Sequence, residues 1–225
     1  MRRPAFFRPA LGLALGAVLP VSLSAQGLSV PEDWTWRLDG PQRTAAGQEV
    51  APGEWRYERM PPGWHITTTD QGVTLFPKGR TVHGRWAVEA ELFLFQNPSD
   101  APLGIVVETA DSGAHAGQLR FLLRRDGQAS VVGRHGPVDS VLVPWRPDTA
   151  LKPHPGGEVV RYVLRVTHES GVLAFAINGR EMAAVRTGGM DPVVVPGLRV
   201  GSSLNVHVSR FDLVTPLAPP RVRPR

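Results

Sequence analysis

Two pairs of charged residues have the spacing that places side chains on one face of a β-strand. Glu89 and Glu91 alternate with apolar residues in WAVEAELFLF, and Arg120 and Arg124 do the same in QLRFLLRR. Because successive side chains of a strand point to opposite faces, each pair is expected on one polar sheet face. The favoured interpretation is cross-strand ion pairing on a solvated face. The alternative is a polar surface on which carboxylates and guanidinium groups bind sugar hydroxyls.

Tryptophan residues supply candidate apolar contacts for a ligand. Of the six Trp, Trp64 follows a Pro-Pro-Gly sequence at the start of a strand, and Trp145 lies in a Pro-flanked loop. These two are the candidates for stacking on the apolar face of a sugar. Trp86 shares the apolar alternation of its strand, so it is assigned to the core.

Histidine residues are scattered rather than clustered. None of the seven forms an H-x-H or HExxH spacing, so no metal site and no cofactor are predicted. A site of scattered His and carboxylate ligands that meet only in the folded chain is left open by the sequence. His65, beside Trp64, and His115, in a loop bounded by glycines, are the candidate ligand contacts. A surface or capping role is the favoured alternative for both.

Several classes of chemistry are excluded by what the sequence lacks. The chain has no Cys, which excludes disulfides, thiol catalysis and Cys-type metal sites. It contains no G-x-S-x-G elbow, P-loop, dinucleotide fingerprint or EF-hand spacing.

The net charge of +5 comes from the two ends of the chain. Without the six terminal arginines, 19 basic residues face 20 acidic ones. A nucleic-acid surface needs a clustered basic field on the folded domain, so no nucleic-acid partner is predicted. The six are Arg2, Arg3, Arg8, Arg221, Arg223 and Arg225.

The first 25 residues have the pattern of a secretory signal peptide. A basic start (residues 1–9) precedes twelve apolar residues (10–21) and the small residues of SLSAQ, which predicts cleavage near Ala25–Gln26. Twelve apolar residues are too few to span a bilayer. We therefore expect an exported protein, periplasmic or secreted, without membrane insertion after cleavage. A linker (26–33), one domain (34–216) and a disordered basic, Pro-rich tail (217–225) follow.

The body of the chain has the pattern of an all-β, two-sheet antiparallel sandwich. Gly and Pro make up about a fifth of the residues, which favours a turn-rich β fold. Type I′ hairpin turns are predicted at Asp126-Gly127 and Asn178-Gly179, and a third turn at Glu169-Ser170-Gly171. The final strand changes parity, so a bulge is predicted near Ser209–Arg210. Alternation predicts strands over 86–95, 118–125, 160–168, 172–178 and 206–214.

Four stretches resemble a known family: VEAELFLF, PLGIVVET, YVLRVTHESGVLAFAINGREMAAV and PGLRVGSSLNVHVSRFDLV. Together they are similar to a concanavalin A-like jelly roll of the laminin-G type, and more narrowly to the bacterial 3-keto-disaccharide hydrolase (family 16 glycoside hydrolase-like) domains. The resemblance implies a secreted, sugar-related protein, either a binder or a hydrolase. Family 16 glycosidases carry an E-x-D-x-x-E triad; Glu89 and Glu91 match its first two acids, but Leu94 stands in place of the third. A retaining glycosidase needs two carboxyl groups, so that mechanism is not expected.

Three hypotheses follow. The first is an exported jelly-roll module that recognises a glycan or related small polar ligand without turning it over. Its surface would be the sheet face that carries Glu89, Glu91, Arg120 and Arg124, rimmed by Trp64, His65 and Trp145. The second is a hydrolase or lyase acting on a modified (3-keto) disaccharide, with Glu89 or Glu91 as base and His65 or His115 assisting. The third is a structural or interaction domain of the cell envelope.

Overall fold

The computed structural model describes residues 33–39, 55–96, 99–110, 117–136, 138–151, 153, 158–187 and 193–215. Within these ranges the chain forms fourteen strands and no helix. The described residues therefore include no long apolar helix of the kind that crosses a membrane. The predicted signal peptide and C-terminal tail, and nearly all of the linker, lie outside the described residues.

The strands form two antiparallel sheets of seven among the described residues, which confirms the predicted all-β sandwich. The first sheet has the order β1 (Trp34–Leu38), β4 (Val73–Pro77), β13 (Val194–Val200), β6 (Leu103–Thr109), β7 (Gly117–Leu123), β8 (Gln128–His135), β9 (Val138–Pro147). The second has the order β12 (Arg180–Arg186), β11 (Val172–Ile177), β10 (Val160–Glu169), β5 (Trp86–Leu94), β14 (Asn205–Val214), β3 (Trp64–Thr68), β2 (Trp55–Arg59).

The core lies between the two sheets. In β5 the alternate residues Trp86, Val88, Ala90, Leu92 and Leu94 are at most 1% exposed, as their alternation predicts. Burying each large apolar side chain stabilises the fold by about 1.5–3 kcal/mol.

Several aromatic pairs join the two layers of this core. The rings of Phe121 in the first sheet and Phe175 in the second lie 5.0 Å apart. Contacts of this kind hold the inner faces together, so the polar positions of both sheets point outward.

Two of the three predicted turns have the expected geometry. Asn178 and Gly179 have φ values of 51° and 80°, and Ser170 and Gly171 have 52° and 71°, as two-residue hairpins of the type I′ class require. The Asp126-Gly127 prediction is wrong in detail, because only Gly127 has a positive φ, at 82°. There the Gly127 N–H donates to the Arg124 carbonyl at 3.1 Å, closing a wider loop with one left-handed glycine.

The predicted bulge in the last strand is confirmed. The register of β14 against β5 shifts between Val208 and Arg210. Before the shift Val206 and Val208 face the core, and after it Phe211 and Leu213 do so. The bulge therefore keeps apolar residues inside on both halves and leaves Arg210 outside.

Candidate functional site

The two predicted charged pairs lie on different sheets. Glu89 and Glu91 belong to β5 of the second sheet, whereas Arg120 belongs to β7 of the first and Arg124 directly follows it. Glu89, Glu91 and Arg120 have the parity that points away from the core, so the carboxylates and Arg120 lie on opposite outer surfaces. The prediction of one shared face is wrong, because alternation along a strand fixes the face of a residue but not the neighbouring strand.

The carboxylates of β5 are instead paired with arginines of the two strands beside it. Arg161 of β10 donates twice to the Glu91 carboxylate, at 3.1 and 3.0 Å. Arg165 of the same strand donates to Glu89 at 3.1 Å, and Arg210 of β14 donates to the other Glu89 oxygen. Cross-strand ion pairing therefore does occur on this face, with partners that the sequence did not identify. Arg161 and Arg165 alternate with apolar residues in a predicted strand, which marks them as outward-facing but not as partners of β5.

The ion pair keeps Glu91 charged. The hydrogen bond from Arg161 is the largest influence on the pKa of Glu91 and holds it below its ordinary value; the positive charges of Arg161 and Arg210 act in the same direction, and burial opposes them. A carboxyl group with a lowered pKa holds no proton near neutral pH, so Glu91 is not suited to act as a general acid.

Four rings lie beside this ion pair, three of them on adjacent strands and the fourth, that of Phe95, directly after β5. Phe93 of β5 faces His207 of β14, which faces His65 of β3. The centroids of Phe93 and His207 are 6.1 Å apart, and those of His65 and Phe95 are 5.1 Å apart. All four side chains are partly buried, which leaves part of each ring open to solvent. We call Phe93, Phe95, His65 and His207 the ring patch.

Hydrogen bonds fix the two imidazoles of the ring patch. His207 Nε2 donates to the Pro62 carbonyl at 2.9 Å, and His65 Nε2 donates to Asn205 Oδ1. The His207 bond also ties the segment Met60–Pro62 to the sheet surface. Because both rings are held, their positions are set before any ligand arrives.

Three rings of the patch, those of Phe93, Phe95 and His207, line an open groove of about 850 Å³ on the outer face of the second sheet, whereas His65 is not among its lining residues. The segment Met60–Pro62 and Ser209 also line it, together with the charged residues Glu91, Arg161 and Arg210. We call this the ring groove. Its volume lies in the range of small-molecule sites.

The predicted tryptophan contacts do not belong to the ring groove. Trp64 has the inward parity of β3, is partly buried, and packs against Trp34 with ring centroids 5.3 Å apart. Trp145 lies in strand β9 of the first sheet rather than in a loop. The Arg124 guanidinium stands over the Trp145 ring, 4.2 Å from its centroid, a cation–π contact that sequence spacing does not reveal.

Of the remaining predicted residues, His65 lies in the ring patch and His115 lies outside the described residues. Arg120 lies on the outer face of the first sheet, but it is only 8% exposed and pairs with Asp139 at 2.6 Å. Among the described residues no group of three or more His, Asp or Glu side chains could hold a metal ion.

Comparison with known proteins identifies the fold. No protein-family model and no curated protein matches the chain by sequence. A family 16 endo-glucanase from Bacteroides ovatus is similar in structure, with a TM-score of 0.56 and 10% identity over 84% of this chain and 97% of that one. The carbohydrate-binding module CBM66 from Bacillus subtilis has a TM-score of 0.52 and 10% identity over 71% and 94%. The carbohydrate recognition domain of Emp46p has a TM-score of 0.52 and 14% identity over 83% and 90%.

These similarities show that the chain has a jelly-roll sandwich fold like that of concanavalin A-like and galectin-like proteins. Identities this low establish the fold alone, since one fold serves many functions.

Proposed function

We propose that this protein is an exported jelly-roll domain that binds a glycan in the ring groove without cleaving it. The observation that carries the proposal is the position of the ring patch directly beside the doubly bonded Glu91–Arg161 pair. A sugar ring has an apolar C–H face and an edge of hydroxyl groups. Partly exposed rings cover the first, and carboxylate oxygens and guanidinium N–H groups bind the second.

The charge balance of this face suits a neutral glycan. Glu89 and Glu91 oppose Arg161, Arg165 and Arg210, and Arg210 also lies 3.4 Å from the carboxylate of Asp212. Each charged group therefore has a partner already, and the network holds donors and acceptors in place at little further entropic cost. Solved proteins of similar fold include a carbohydrate-binding module and a carbohydrate recognition domain, which supports this class of ligand.

The non-catalytic part of the proposal rests on the same carboxylates. A hydrolase of this type needs one carboxyl group that donates a proton and a second that attacks or activates water. The lowered pKa of Glu91 does not suit that group to donate a proton. Both oxygens of Glu89 already accept hydrogen bonds from Arg165 and Arg210. Cleavage of a 3-keto-disaccharide, the narrower activity suggested by resemblance, is therefore the less favoured function.

Export is proposed from the N-terminal sequence. The basic start, the apolar run of twelve and the small residues before Gln26 have the order of a cleavable signal. N-terminal sequencing of the protein purified from its own cells should begin at or near Gln26. An intact Met1 would contradict this part of the proposal and leave the binding part untouched.

The binding test begins with an array of neutral glucans, galactans, mannans and xylans, followed by calorimetry with the best oligosaccharide. Phe93→Ala should weaken binding about tenfold or more, because it removes a central ring of the groove. Arg161→Gln should also weaken it, since Glu91 loses the group that positions it.

Arg165→Gln is the matched control. It makes the same chemical change on the same strand and the same face, but Arg165 pairs with Glu89 and does not line the groove. Near-ultraviolet circular dichroism checks that each variant is folded. Full affinity in both Phe93→Ala and Arg161→Gln, or equal losses in Arg161→Gln and Arg165→Gln, would contradict the assignment of the groove.

A further inference from the structure

A second concave surface lies on the opposite side of the molecule, on the outer face of the first sheet. It has a volume of about 540 Å³ and is lined by four arginines on four different strands, together with acidic side chains at its edges. The arginines are Arg37 of β1, Arg120 of β7, Arg134 of β8 and Arg199 of β13. We call this the arginine cleft.

Two of these arginines are matched one to one with carboxylates. Arg37 donates to both oxygens of Glu108, at 3.2 and 2.5 Å. Arg199 donates to both oxygens of Asp39, one of them at 2.7 Å. Bidentate pairs of this kind are rigid, so they form fixed sides of the cleft.

The other two arginines share one carboxylate. Asp139 lies 2.6 Å from Arg120 and 3.8 Å from Arg134. Four guanidinium groups therefore meet three carboxylates among the described residues, which leaves one positive charge in excess at the Arg120–Asp139–Arg134 end. The hydrogen bond and charge of Arg120, with the charges of Arg134 and Arg199, hold the pKa of Asp139 below its ordinary value. The field of these three arginines thus converges on one place.

Arg120 is the central group of this end. Its side chain is only 10% exposed, and a guanidinium keeps its charge even when buried. Its Nε atom is buried and has no hydrogen-bond partner among the described residues. Arg134, by contrast, is 48% exposed, and its Nε donates to the Gly136 carbonyl at 3.1 Å. One donor at this end is therefore uncommitted, and the neighbouring guanidinium of Arg134 is open to solvent.

We propose that the arginine cleft is a second binding site, which takes the carboxylate of a sugar acid. A carboxylate matches the fork of a guanidinium in shape and charge and would neutralise the excess charge beside Asp139. The volume of the cleft is sufficient for a small ligand, and its remaining polar groups, such as Thr74 and Gln118, offer partners for hydroxyls. This site is independent of the ring groove, because the two lie on opposite sheets.

The test titrates the mature chain with sodium D-glucuronate, D-glucose and sodium acetate at constant ionic strength, observed through the arginine Nε–H resonances. Glucuronate should shift the resonances of Arg120 and Arg134 with saturation, and glucose should not. Acetate should bind at least about tenfold more weakly than glucuronate, since it fills only the charged end. Equal shifts with glucuronate and glucose would overturn the proposal, and equal affinity for acetate and glucuronate would overturn the assignment to a sugar acid.

Two variants test the residues. Arg134→Gln should lower the glucuronate affinity about tenfold, because it removes one charged hydrogen-bond donor. Asp139→Asn should raise the affinity, since it removes the carboxylate that competes with the ligand; a purely structural role for Asp139 would not produce that gain.

Arg56→Gln is the matched control, because Arg56 is 71% exposed on the second sheet and its only ion pair among the described residues is a contact at 3.8 Å. An equal loss in Arg134→Gln and Arg56→Gln would show a general charge effect and overturn the site. Phe93→Ala should leave glucuronate binding unchanged, because Phe93 lines the ring groove on the other sheet. The proposal of a ring-groove site and the proposal of an arginine-cleft site are therefore tested separately.

Discussion

Raising the pH through the alkaline range should destabilise this protein through one tyrosine. Tyr162 of β10 is 1% exposed, and burial raises its pKa to about 12. In the unfolded chain a tyrosine titrates near 10. Between these values the unfolded state releases the proton while the native state keeps it, so the free energy of unfolding falls as the pH rises. A difference of about two pH units corresponds to about 2.7 kcal/mol, at 1.36 kcal/mol per unit.

The sign of the effect follows from the two protonation states. Below about pH 10 both states hold the proton and Tyr162 adds no pH dependence; above about pH 12 both release it and the loss is complete. The loss therefore accumulates between these limits.

The assay combines urea unfolding with absorbance titration of tyrosinate. The chain has two tyrosines, so Tyr162→Phe leaves Tyr57 as the one chromophore of this kind. Burial also raises the pKa of Tyr57, with the charge of Arg59 opposing it. The unfolding free energy of Tyr162→Phe should be less sensitive to pH than that of the wild type by about 2.7 kcal/mol across the interval. Parallel curves for the two proteins, or a native Tyr162 that ionises near pH 10, would refute the reasoning.

Two further predictions concern the core and the ion pairs. Phe175→Ala should lower the free energy of unfolding by about 3–5 kcal/mol, since it opens a cavity opposite Phe121 between the sheets; urea midpoints measure the loss, and a change below about 1 kcal/mol would contradict the packing described here. For Glu91, whose ordinary pKa of 4.5 is lowered in the fold, the stabilisation is present above that value and is lost as the pH falls through the folded pKa. The stability difference between wild type and Glu91→Gln should therefore shrink in acid, and a constant difference across the acid range would argue against the Arg161–Glu91 pair as its source.

In β5, β10 and β11 the alternation of residues was sufficient to predict which face of the strand is buried. Trp86, Leu92 and Leu94 are in the core because the β-pleat has a period of two and apolar surface avoids water. The same reasoning located the bulge at Ser209–Arg210, where the apolar positions change parity. These are local properties of a strand, so the neighbouring residues in the chain carry enough information to decide them.

The sequence left open which strands are neighbours, and the candidate sites depend on that. Glu89 and Arg210 pair although they are 121 residues apart, and the Glu91 partner is Arg161 rather than Arg120. Such pairings depend on long connections that bring distant strands together, and nothing in the local pattern specifies their order. Alternation therefore determined that these charges face outward, whereas only the tertiary structure decided that they lie beside a patch of rings on one sheet and around an arginine cleft on the other.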